Sequence, residues 1–311
     1  MKISFLGSIL LVLVSLSFIV PAEVVAQEVA ESYMQEGISK VLSSNYEGAI
    51  KDFSKAIEID PSLEKAYSER GRSKAAVGDH MGALEDYNKA IEIEPDLPTT
   101  YYNSALSKVE LNDFGGAIQD FSKAIEIVPS WAQAYGERGH TNATMGYQLS
   151  AIQDYSRAIE IEPDYVDAYY WRGYAKVSLD DDVGAIEDFD RVIEMDRDYS
   201  FAYFYRAMCK VELGDLRGGI QDYGRAIKLE PDDSGAYYNR GFAKGHIGNQ
   251  KGAIKDYNKA IELEPDDQEA YYNRGFAKYE LGDIEGACLD WSKAGELGML
   301  EAYDHVREHC K

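Results

Sequence analysis

Apolar residues recur along most of the chain with the period of a helix rather than that of a strand. In one stretch, Tyr67, Gly71 and Ala75 follow each other at a spacing of four. Gly78 and Asp79 then interrupt the pattern. A second apolar series at helical spacing follows, consisting of Ala83, Leu84, Tyr87, Ala90, Ile91 and Ile93. We therefore predict two helices joined by a tight turn, in which the glycine ends the first helix and the aspartate caps the second.

The same two-helix pattern returns with a step of 34 residues. Near the start of the second helix, the equivalent residues of the eight units are Gly48, Gly82, Gly116, Ser150, Gly184, Gly218, Gly252 and Gly286. A tyrosine of the first helix keeps the same step, at Tyr33, Tyr67, Tyr101, Tyr135, Tyr169, Tyr203, Tyr237 and Tyr271. A period of this length indicates stacked repeats. We predict eight units over residues 27–299, starting near residues 30, 64, 98, 132, 166, 200, 234 and 268, and a capping helix over residues 300–311.

The repeated positions resemble those of the tetratricopeptide repeat (TPR) family. The second helices carry one large aromatic residue each: Phe53, Tyr87, Phe121, Tyr155, Phe189, Tyr223, Tyr257 and Trp291. Six first helices carry a matching glycine: Gly37, Gly71, Gly139, Gly173, Gly241 and Gly275. The resemblance implies an all-α fold, a right-handed superhelical solenoid of antiparallel helix pairs. It also implies a concave face, lined by the first helices, that binds peptides or proteins.

Charged residues interrupt the side of the first helix that the helical wheel assigns to the core. One row is Arg70, Arg138, Arg172, Arg206, Arg240 and Arg274; the row four residues on is Lys40, Lys74, Lys108, Lys176, Lys210, Lys244 and Lys278. Every second helix carries an aspartate: Asp52, Asp86, Asp120, Asp154, Asp188, Asp222, Asp256 and Asp290. We predict a ladder of ion pairs between the two helices of each unit, because a charge present in every unit serves a need of every unit. A catalytic lysine and aspartate are the weaker alternative.

Two rows of the first helix point away from the core on the same wheel, and their residues change along the chain. From the fifth unit to the eighth both rows are aromatic or Met, which favours a groove that binds something. The predicted ligand-binding residues, with two neighbouring asparagines, are Tyr170, Tyr174, Phe204, Met208, Tyr238, Asn239, Phe242, Tyr272, Asn273 and Phe276. The resemblance would place ligand contacts on these rows. The alternative is that the rings only pack against one another.

The amino end has the pattern of an export signal. Residues 3–20 are apolar apart from serine and glycine, and Pro21 and the small-residue run ending at Ala26 follow them. We predict a signal peptide over residues 1–26, with an uncleaved membrane anchor as the alternative. The mature protein is then exported, to the periplasm in a Gram-negative cell and otherwise to the outside.

The three cysteines divide into one core residue and one predicted pair. Cys209 lies in a row of small residues and is predicted to be a buried, inert thiol. Cys288 and Cys310 lie at similar distances on either side of a turn near Gly298, so an antiparallel arrangement brings them together. In an oxidising compartment we predict a disulfide between them. The alternative is a metal site formed by His305, His309 and Cys310.

Composition narrows the function. The 311 residues contain 32 Lys and Arg against 55 Asp and Glu, a net charge of −23. That charge disfavours nucleic acid and anionic membranes as partners. We recognise no catalytic motif and predict no enzyme activity, no cofactor and no metal. The leading hypothesis is a scaffold that binds a protein or peptide partner in its groove. Glycan or small-ligand binding on the aromatic track of repeats 5 to 8 is the alternative, and self-association stays open.

Overall fold

The computed structural model describes residues 22–310, and these residues form seventeen α-helices and no strand. The prediction of an all-α fold is confirmed. The described residues divide into two compact units, of which the first ends at Asn112 and the second begins at Asp113. Residues 1–21 of the predicted signal peptide lie outside the described residues, and residues 22–26 form the start of the first helix. No helix in the described part of the chain is both long enough and apolar enough to cross a membrane.

The first unit contains five helices. They are α1 (Ala22–Leu42), α2 (Tyr46–Ile59), α3 (Glu64–Ala76), α4 (His80–Ile93) and α5 (Pro98–Glu110). Helix α1 pairs with α2 and α3 pairs with α4, while α3 also packs on α2 and α5 packs on α4. Each helix therefore packs against its neighbours in the sequence, as expected of a stacked repeat.

The second unit continues the same pattern with twelve helices. They are α6 (Phe114–Ile127), α7 (Ala132–Thr144), α8 (Gln148–Ile161), α9 (Val166–Val177), α10 (Asp182–Met195), α11 (Ser200–Glu212), α12 (Leu216–Leu229), α13 (Ser234–His246), α14 (Gln250–Leu263), α15 (Gln268–Glu280), α16 (Ile284–Glu296) and α17 (Ala302–His309). The closest pairs are α7 with α8, α9 with α10, α11 with α12, α13 with α14 and α15 with α16. Helix α17 packs on α16.

The turn within each pair follows the predicted chemistry. Gly78, Gly146, Gly214, Gly248 and Gly282 have φ between 79° and 85°, the left-handed conformation that favours glycine. In the other three repeats the equivalent turn residues are Ser44, Asn112 and Asp180, which have φ of 58° to 60°. The next residue accepts a hydrogen bond from the third residue of the second helix. The acceptors are Asn45, Asp79, Asp113, Asp181, Asp215, Asn249 and Asp283.

The α7–α8 pair departs from this cap in two positions at once. Its capping position is Tyr147, whose side chain makes no cap hydrogen bond. Its third helical residue is Ser150, where the other seven second helices have glycine. A Cβ at one of these glycines, Gly48, would lie 2.6 Å from the Asn45 amide. The glycine thus leaves room for the capping side chain. The repeat that has no capping side chain, with Tyr147 in its place, also has no glycine there.

The core of each pair consists of one large ring against small residues. The eight aromatic residues of the second-helix row are all buried. The glycines of the first helices lie against them; a Cβ at Gly71, for example, would come within 2.7 Å of the Tyr87 ring. Alanine fills most of the remaining buried positions. The two helices therefore approach closely at the level of the ring, which explains why glycine recurs there.

The predicted ladder of ion pairs is confirmed in both units. Arg172 shows its geometry: Nε donates to Asp188 Oδ2 at 3.0 Å and Nη2 donates to Asp188 Oδ1 at 2.6 Å. Lys176 Nζ lies 2.8 Å from the same carboxylate. Nη1 donates to Ser156 in the preceding second helix, so the arginine also joins successive pairs. The corresponding Arg–Asp pairs are Arg70–Asp86, Arg138–Asp154, Arg206–Asp222, Arg240–Asp256 and Arg274–Asp290.

Each of these arginines has a second structural contact, with the tyrosine three residues before it. The Arg172 guanidinium lies 5.5 Å from the centre of the Tyr169 ring. The equivalent arginine and tyrosine make the same contact in five other repeats. This arrangement supports a cation–π interaction. The repeated charges are thus used in packing and helix pairing, which favours the structural interpretation over a catalytic one.

Candidate functional site

The candidate site is the face of the second unit formed by the first helices α7, α9, α11, α13 and α15. The predicted ligand-binding residues lie on the last four of these helices. They divide into rings that are already packed, rings that are partly open, and residues that border a cavity. The structure thus places them on one type of surface but does not make them equivalent.

Tyr170 is a packed ring. It is only 7% exposed, and its centroid lies 5.0 Å from that of Tyr199 and 6.1 Å from that of Phe189. Burial raises the pKa of its hydroxyl, and neighbouring tyrosines, Tyr205 first, add to the rise. The alternative of ring packing therefore describes Tyr170 better than the expectation of an open ligand contact, because little of its surface can reach a ligand.

The neighbouring rings of α9 and α11 are more open but meet at Tyr205. Tyr174 is 38% exposed and packs edge-on against Tyr205 at 5.1 Å. Phe204 contacts Tyr205 at 5.3 Å and Tyr223 at 5.5 Å, both edge-on. Met208, on the same helix, is half-buried. Tyr205 itself was not predicted, although its place next to Phe204 in the sequence is the signal that could have found it.

Helices α13 and α15 border a cavity of about 300 Å³. Three predicted residues line it: Phe242, Asn273 and Phe276. The other lining residues are Gly245, His246, Gln250, Tyr257, Ala277 and Glu280. Both apolar rings and polar groups thus meet around one opening, an arrangement typical of small binding pockets.

The remaining predicted residues of this part are held by hydrogen bonds. Asn273 Nδ2 donates to Tyr238 Oη at 3.0 Å. Asn239 Nδ2 donates to the carbonyl oxygen of Gly235 at 2.8 Å. Tyr272 Oη and His305 Nε2 share a hydrogen bond of 3.1 Å, so this ring contacts the terminal helix α17. These bonds orient the side chains beside the cavity.

A second cavity, of about 240 Å³, lies between α7 and α9 and was missed by the sequence prediction. It is lined by Gly136, Glu137, His140, Tyr155, Tyr165, Asp167, Ala168 and Trp171. Gly136 stands where the flanking units have Tyr102 and Tyr170, and this absence of a side chain was the available signal. A Cβ at this glycine would lie 2.9 Å from the Tyr165 hydroxyl.

The polar groups of the α7–α9 cavity are incompletely satisfied. Tyr155 is 1% exposed, and its buried hydroxyl oxygen has no hydrogen-bond partner among residues 22–310. Burial raises the pKa of the Glu137 carboxyl, while nearby His140 opposes the rise. Within the described residues, the Glu137 side chain makes no hydrogen bond and no ion pair. The cavity thus combines a desolvated carboxyl group with a hydroxyl group that lacks a partner.

The first unit has a related cavity of about 210 Å³ between α3 and α5, with a different charge arrangement. Glu69 lines this cavity and occupies the position equivalent to Glu137, two 34-residue repeats earlier. Here Arg72 Nη2 lies 2.5 Å from Glu69 Oε2, whereas the equivalent position in the second unit is His140. The chain itself therefore supplies the counter-charge to Glu69, but it supplies no such ion pair to Glu137.

The carboxyl end brings the two remaining cysteines together. Cys288 on α16 and Cys310 after α17 lie next to each other, with Cα atoms 5.7 Å apart, a distance within the range of a disulfide. Cys209 is buried, as predicted, and burial raises its pKa to about 12, so it stays a thiol at neutral pH. The donor atoms of His305, Glu308 and His309 lie within 4.8 Å of one another. Cys310, which the predicted metal site also included, is not in this group.

Comparisons with known proteins agree with these helix pairs. The family described as "Tetratricopeptide repeat" matches residues 30–63, 98–130 and 166–199, and that described as "TPR repeat" matches residues 150–180 and 246–282. No curated protein matches the sequence.

Several solved structures resemble the chain. The crystal structure of YrrB, called a TPR protein with an unusual peptide-binding site, is 25% identical with a TM-score of 0.55; the match covers 60% of this chain and 96% of YrrB. The MamA protein is 26% identical with a TM-score of 0.52, over 54% of this chain and 92% of MamA. The C-terminal part of a TPR protein from Cytophaga hutchinsonii has a TM-score of 0.68 at 16% identity, over 77% of this chain and 98% of that one.

Paired helices with a constant interior and a variable first-helix face define a helical repeat protein of the solenoid class. The segments of this chain that the family models match are tetratricopeptide repeats. Proteins built of this repeat generally serve as non-catalytic scaffolds for protein–protein interaction, and the fold of this chain suggests an interaction scaffold.

Proposed function

We propose that the protein is an exported scaffold that holds an extended peptide or protein segment along the first helices of its second unit. The observation that carries the proposal is the cavity between α13 and α15, where Phe242 and Phe276 meet the amide of Asn273. The Asn273 NH2 group donates to Tyr238 and to the carbonyl oxygen of Glu269, so its Oδ1 is the atom that can accept a hydrogen bond from the backbone of a bound segment. The rings supply apolar surface for the side chains of that segment. The resemblance to YrrB supports a peptide as the ligand.

The experiment is selection from a library of random peptides displayed on phage, with the mature protein as the target. We expect the wild-type chain to enrich a family of related peptides. The double variant Phe242→Ala, Asn273→Ala should bind them at least about tenfold more weakly, because it removes one ring and one amide from the cavity.

A matched control comes from the opposite side of the pairs. Leu149 and Val183 are exposed apolar residues at the start of second helices. The double variant Leu149→Ala, Val183→Ala should keep full peptide affinity. Equal affinity of both double variants, or enrichment of no peptide at all, would remove the groove from the proposal. Retention of soluble oligosaccharides in place of peptides would support the glycan alternative.

Export is part of the proposal and has a direct test. Removal of the predicted signal peptide after Ala26 leaves Gln27 as the first residue of the mature chain. The measurement is the intact mass of the protein recovered outside the cytoplasm. A recovered chain that still contains residues 1–26 would instead support the retained anchor.

An oxidising compartment also gives the cysteine pair a function. The Cys288–Cys310 bond closes a loop with a sequence separation of 22 residues and ties α17 to α16. In the chain-entropy model such a loop contributes about 3 kcal/mol. Unreduced, denatured protein should therefore resist alkylation at both residues, while Cys209 reacts. Full alkylation of Cys288 and Cys310 without reduction contradicts the disulfide.

A further inference from the structure

The α7–α9 cavity has three properties that together specify a type of ligand. Its carboxyl groups, Glu137 and Asp167, make it acidic. Its walls include the rings of Tyr165 and Trp171. Its lining also includes Tyr155, whose hydroxyl oxygen is fully buried and has no hydrogen-bond partner in the described part of the chain. A buried polar group without a partner costs free energy, so its presence calls for a ligand atom that bonds to it.

Each property favours a cation with N–H donors. Carboxylates attract positive charge and accept N–H hydrogen bonds, and the faces of Tyr and Trp attract cations. The hydroxyl oxygen of Tyr155 can accept a further N–H. An anionic ligand would meet two acidic groups, and an apolar ligand would leave both Glu137 and Tyr155 unpaired.

The neighbouring arginines cannot supply this cation, because both are already engaged. Arg138 is bonded to Asp154 and Ser122, and Arg172 is bonded to Asp188 and Ser156. In the equivalent cavity of the first compact unit, by contrast, Arg72 forms an ion pair with Glu69. The carboxyl group of Glu69 is thus neutralised within the chain, whereas that of Glu137 stays available to a ligand.

We propose that the α7–α9 cavity binds a cationic side chain, lysine or arginine, of the peptide held by the scaffold. The volume of about 240 Å³ is below the roughly 300–1,000 Å³ of pockets for drug-sized molecules and suits one side chain. Gly136 makes the room, because a side chain at that position would enter the cavity. The net charge of −23 attracts a basic segment to the protein as a whole.

The inference rests on the proposed function but has its own test. The probes are three short acetylated and amidated glycine peptides with lysine, arginine or norleucine at the centre. The readout is the indole N–H resonance of Trp171 in the full mature chain, which has three tryptophans in all. We expect the lysine and arginine peptides to shift this resonance and the uncharged norleucine peptide to leave it unchanged.

Variants separate the role of charge from the role of space. Glu137→Gln should weaken the lysine and arginine peptides roughly tenfold, since it removes the main counter-charge while keeping the shape. Glu69→Gln is the matched control in the first unit and should leave their affinity unchanged. Gly136→Tyr should abolish binding by filling the cavity while both carboxyl groups remain. Asp167→Asn, at an exposed position, gives a second charge variant if Glu137→Gln does not fold.

Two results would overturn the inference: an equal shift with norleucine, or undiminished binding of lysine by well-folded Glu137→Gln. Its failure can be distinguished from failure of the scaffold. If selected peptides lose affinity for the Phe242→Ala, Asn273→Ala variant but not for Glu137→Gln, the groove stands and the cation pocket does not. If basic peptides bind Glu137 while the library yields no groove binder, the pocket stands alone.

Discussion

The layer between the two helices of a pair and the face of the first helices obey different rules. In the interior layer a large aromatic ring recurs in all eight repeats, and the close-approach glycine and the Arg–Asp pair each recur in six of them. On the first-helix face the equivalent positions hold Gly136, Tyr170 and Phe204. Stability thus depends on what repeats, while recognition depends on what changes. Substitutions that are alike in chemistry should therefore differ in effect according to the region in which they fall.

The largest expected difference concerns two aspartates that bind the same arginine. Asp222 accepts two hydrogen bonds from Arg206 in the interior layer, and its side chain is 8% exposed. Asp190 accepts one from the same guanidinium, and its side chain is 49% exposed. Asp222→Ala leaves Arg206 and Lys210 without their shared buried partner and should cost about 3 kcal/mol. Asp190→Ala should cost less than about 1 kcal/mol.

Urea unfolding followed by circular dichroism measures both variants. Hydrogen exchange should locate the loss of Asp222→Ala in α11, α12 and their neighbours, because a repeat array transmits a defect mainly to adjacent units. Equal midpoints for the two variants would mean that the buried and the exposed contact are equivalent, which contradicts the distinction between the two regions.

Glycine to alanine substitution sharpens the comparison at a smaller scale. A Cβ at Gly275 would lie 2.6 Å from the indole nitrogen of the buried Trp291, so the ring must shift. We expect Gly275→Ala to cost about 1–3 kcal/mol through overpacking. At Gly136 the close atom is the Tyr165 hydroxyl, at the end of a side chain beside a cavity. Gly136→Ala should be neutral within about 1 kcal/mol, since the better helix propensity of alanine offsets that contact.

Thermal unfolding of the two alanine variants is the measurement. Gly275→Ala should lower the midpoint, and Gly136→Ala should leave it nearly unchanged. A large loss for Gly136→Ala would show that the α7–α9 cavity is part of the packed interior rather than of the variable face.

The unit without a helix cap provides a third test, this time a gain. The backbone at Tyr147, with φ −85° and ψ 61°, matches that at the capping residue Asp113, with φ −84° and ψ 66°. Tyr147→Asp with Ser150→Gly should therefore recreate the cap of the other units and stabilise the chain by about 1 kcal/mol. Tyr147→Asp alone should gain less, because the Ser150 side chain crowds the carboxylate. A denaturant midpoint unchanged by the double variant would contradict this account.

Much of the interior layer could be predicted from the sequence because each feature depends on short, repeated relations. The left-handed turn at Gly78, the cap at Asp79 and the Arg70–Asp86 pair all lie within one hairpin. Five copies of the glycine turn, seven of the cap and six of the Arg–Asp pair reduce the chance that any one is accidental. The proximity of Cys288 and Cys310 has the same origin, since a short turn joins α16 to α17 and Cys310 follows α17; the disulfide itself stays a prediction.

The first-helix face was harder to predict because a helical wheel gives direction but not depth. The wheel places Tyr170 and Tyr174 on the same outward side, yet one ring is buried and the other is exposed. Tyr205 contacts both rings, but Tyr170 also packs against Tyr199 and Phe189. The α7–α9 cavity escaped notice for a related reason. It results from a missing side chain at Gly136, and periodicity identifies the residues present rather than the space they leave.

The smallest predicted effect joins the two regions, because it changes stability and recognition in opposite directions. Burial raises the pKa of Glu137, and nearby His140 opposes the rise. Tyr155 and Tyr165 also lie near this carboxyl group, and Asp167 lines the same cavity. A carboxyl group whose folded pKa is raised binds its proton more tightly in the folded state. Its contribution to stability is therefore full below the usual pKa and is lost as the pH rises through the folded pKa.

Glu137→Gln removes that loss, so the variant should equal the wild type in acid and exceed it at neutral pH by less than about 1 kcal/mol. Urea midpoints of the two proteins across the acidic and neutral range measure the difference, with Glu69→Gln as the control that shows no such gain, because Arg72 already pairs with Glu69. A variant that is less stable than the wild type at neutral pH would mean that Glu137 has a stabilising partner, and the cavity would then need no cation. A more stable variant that binds lysine more weakly would show that this unit gives up stability to keep a carboxyl group available for its ligand.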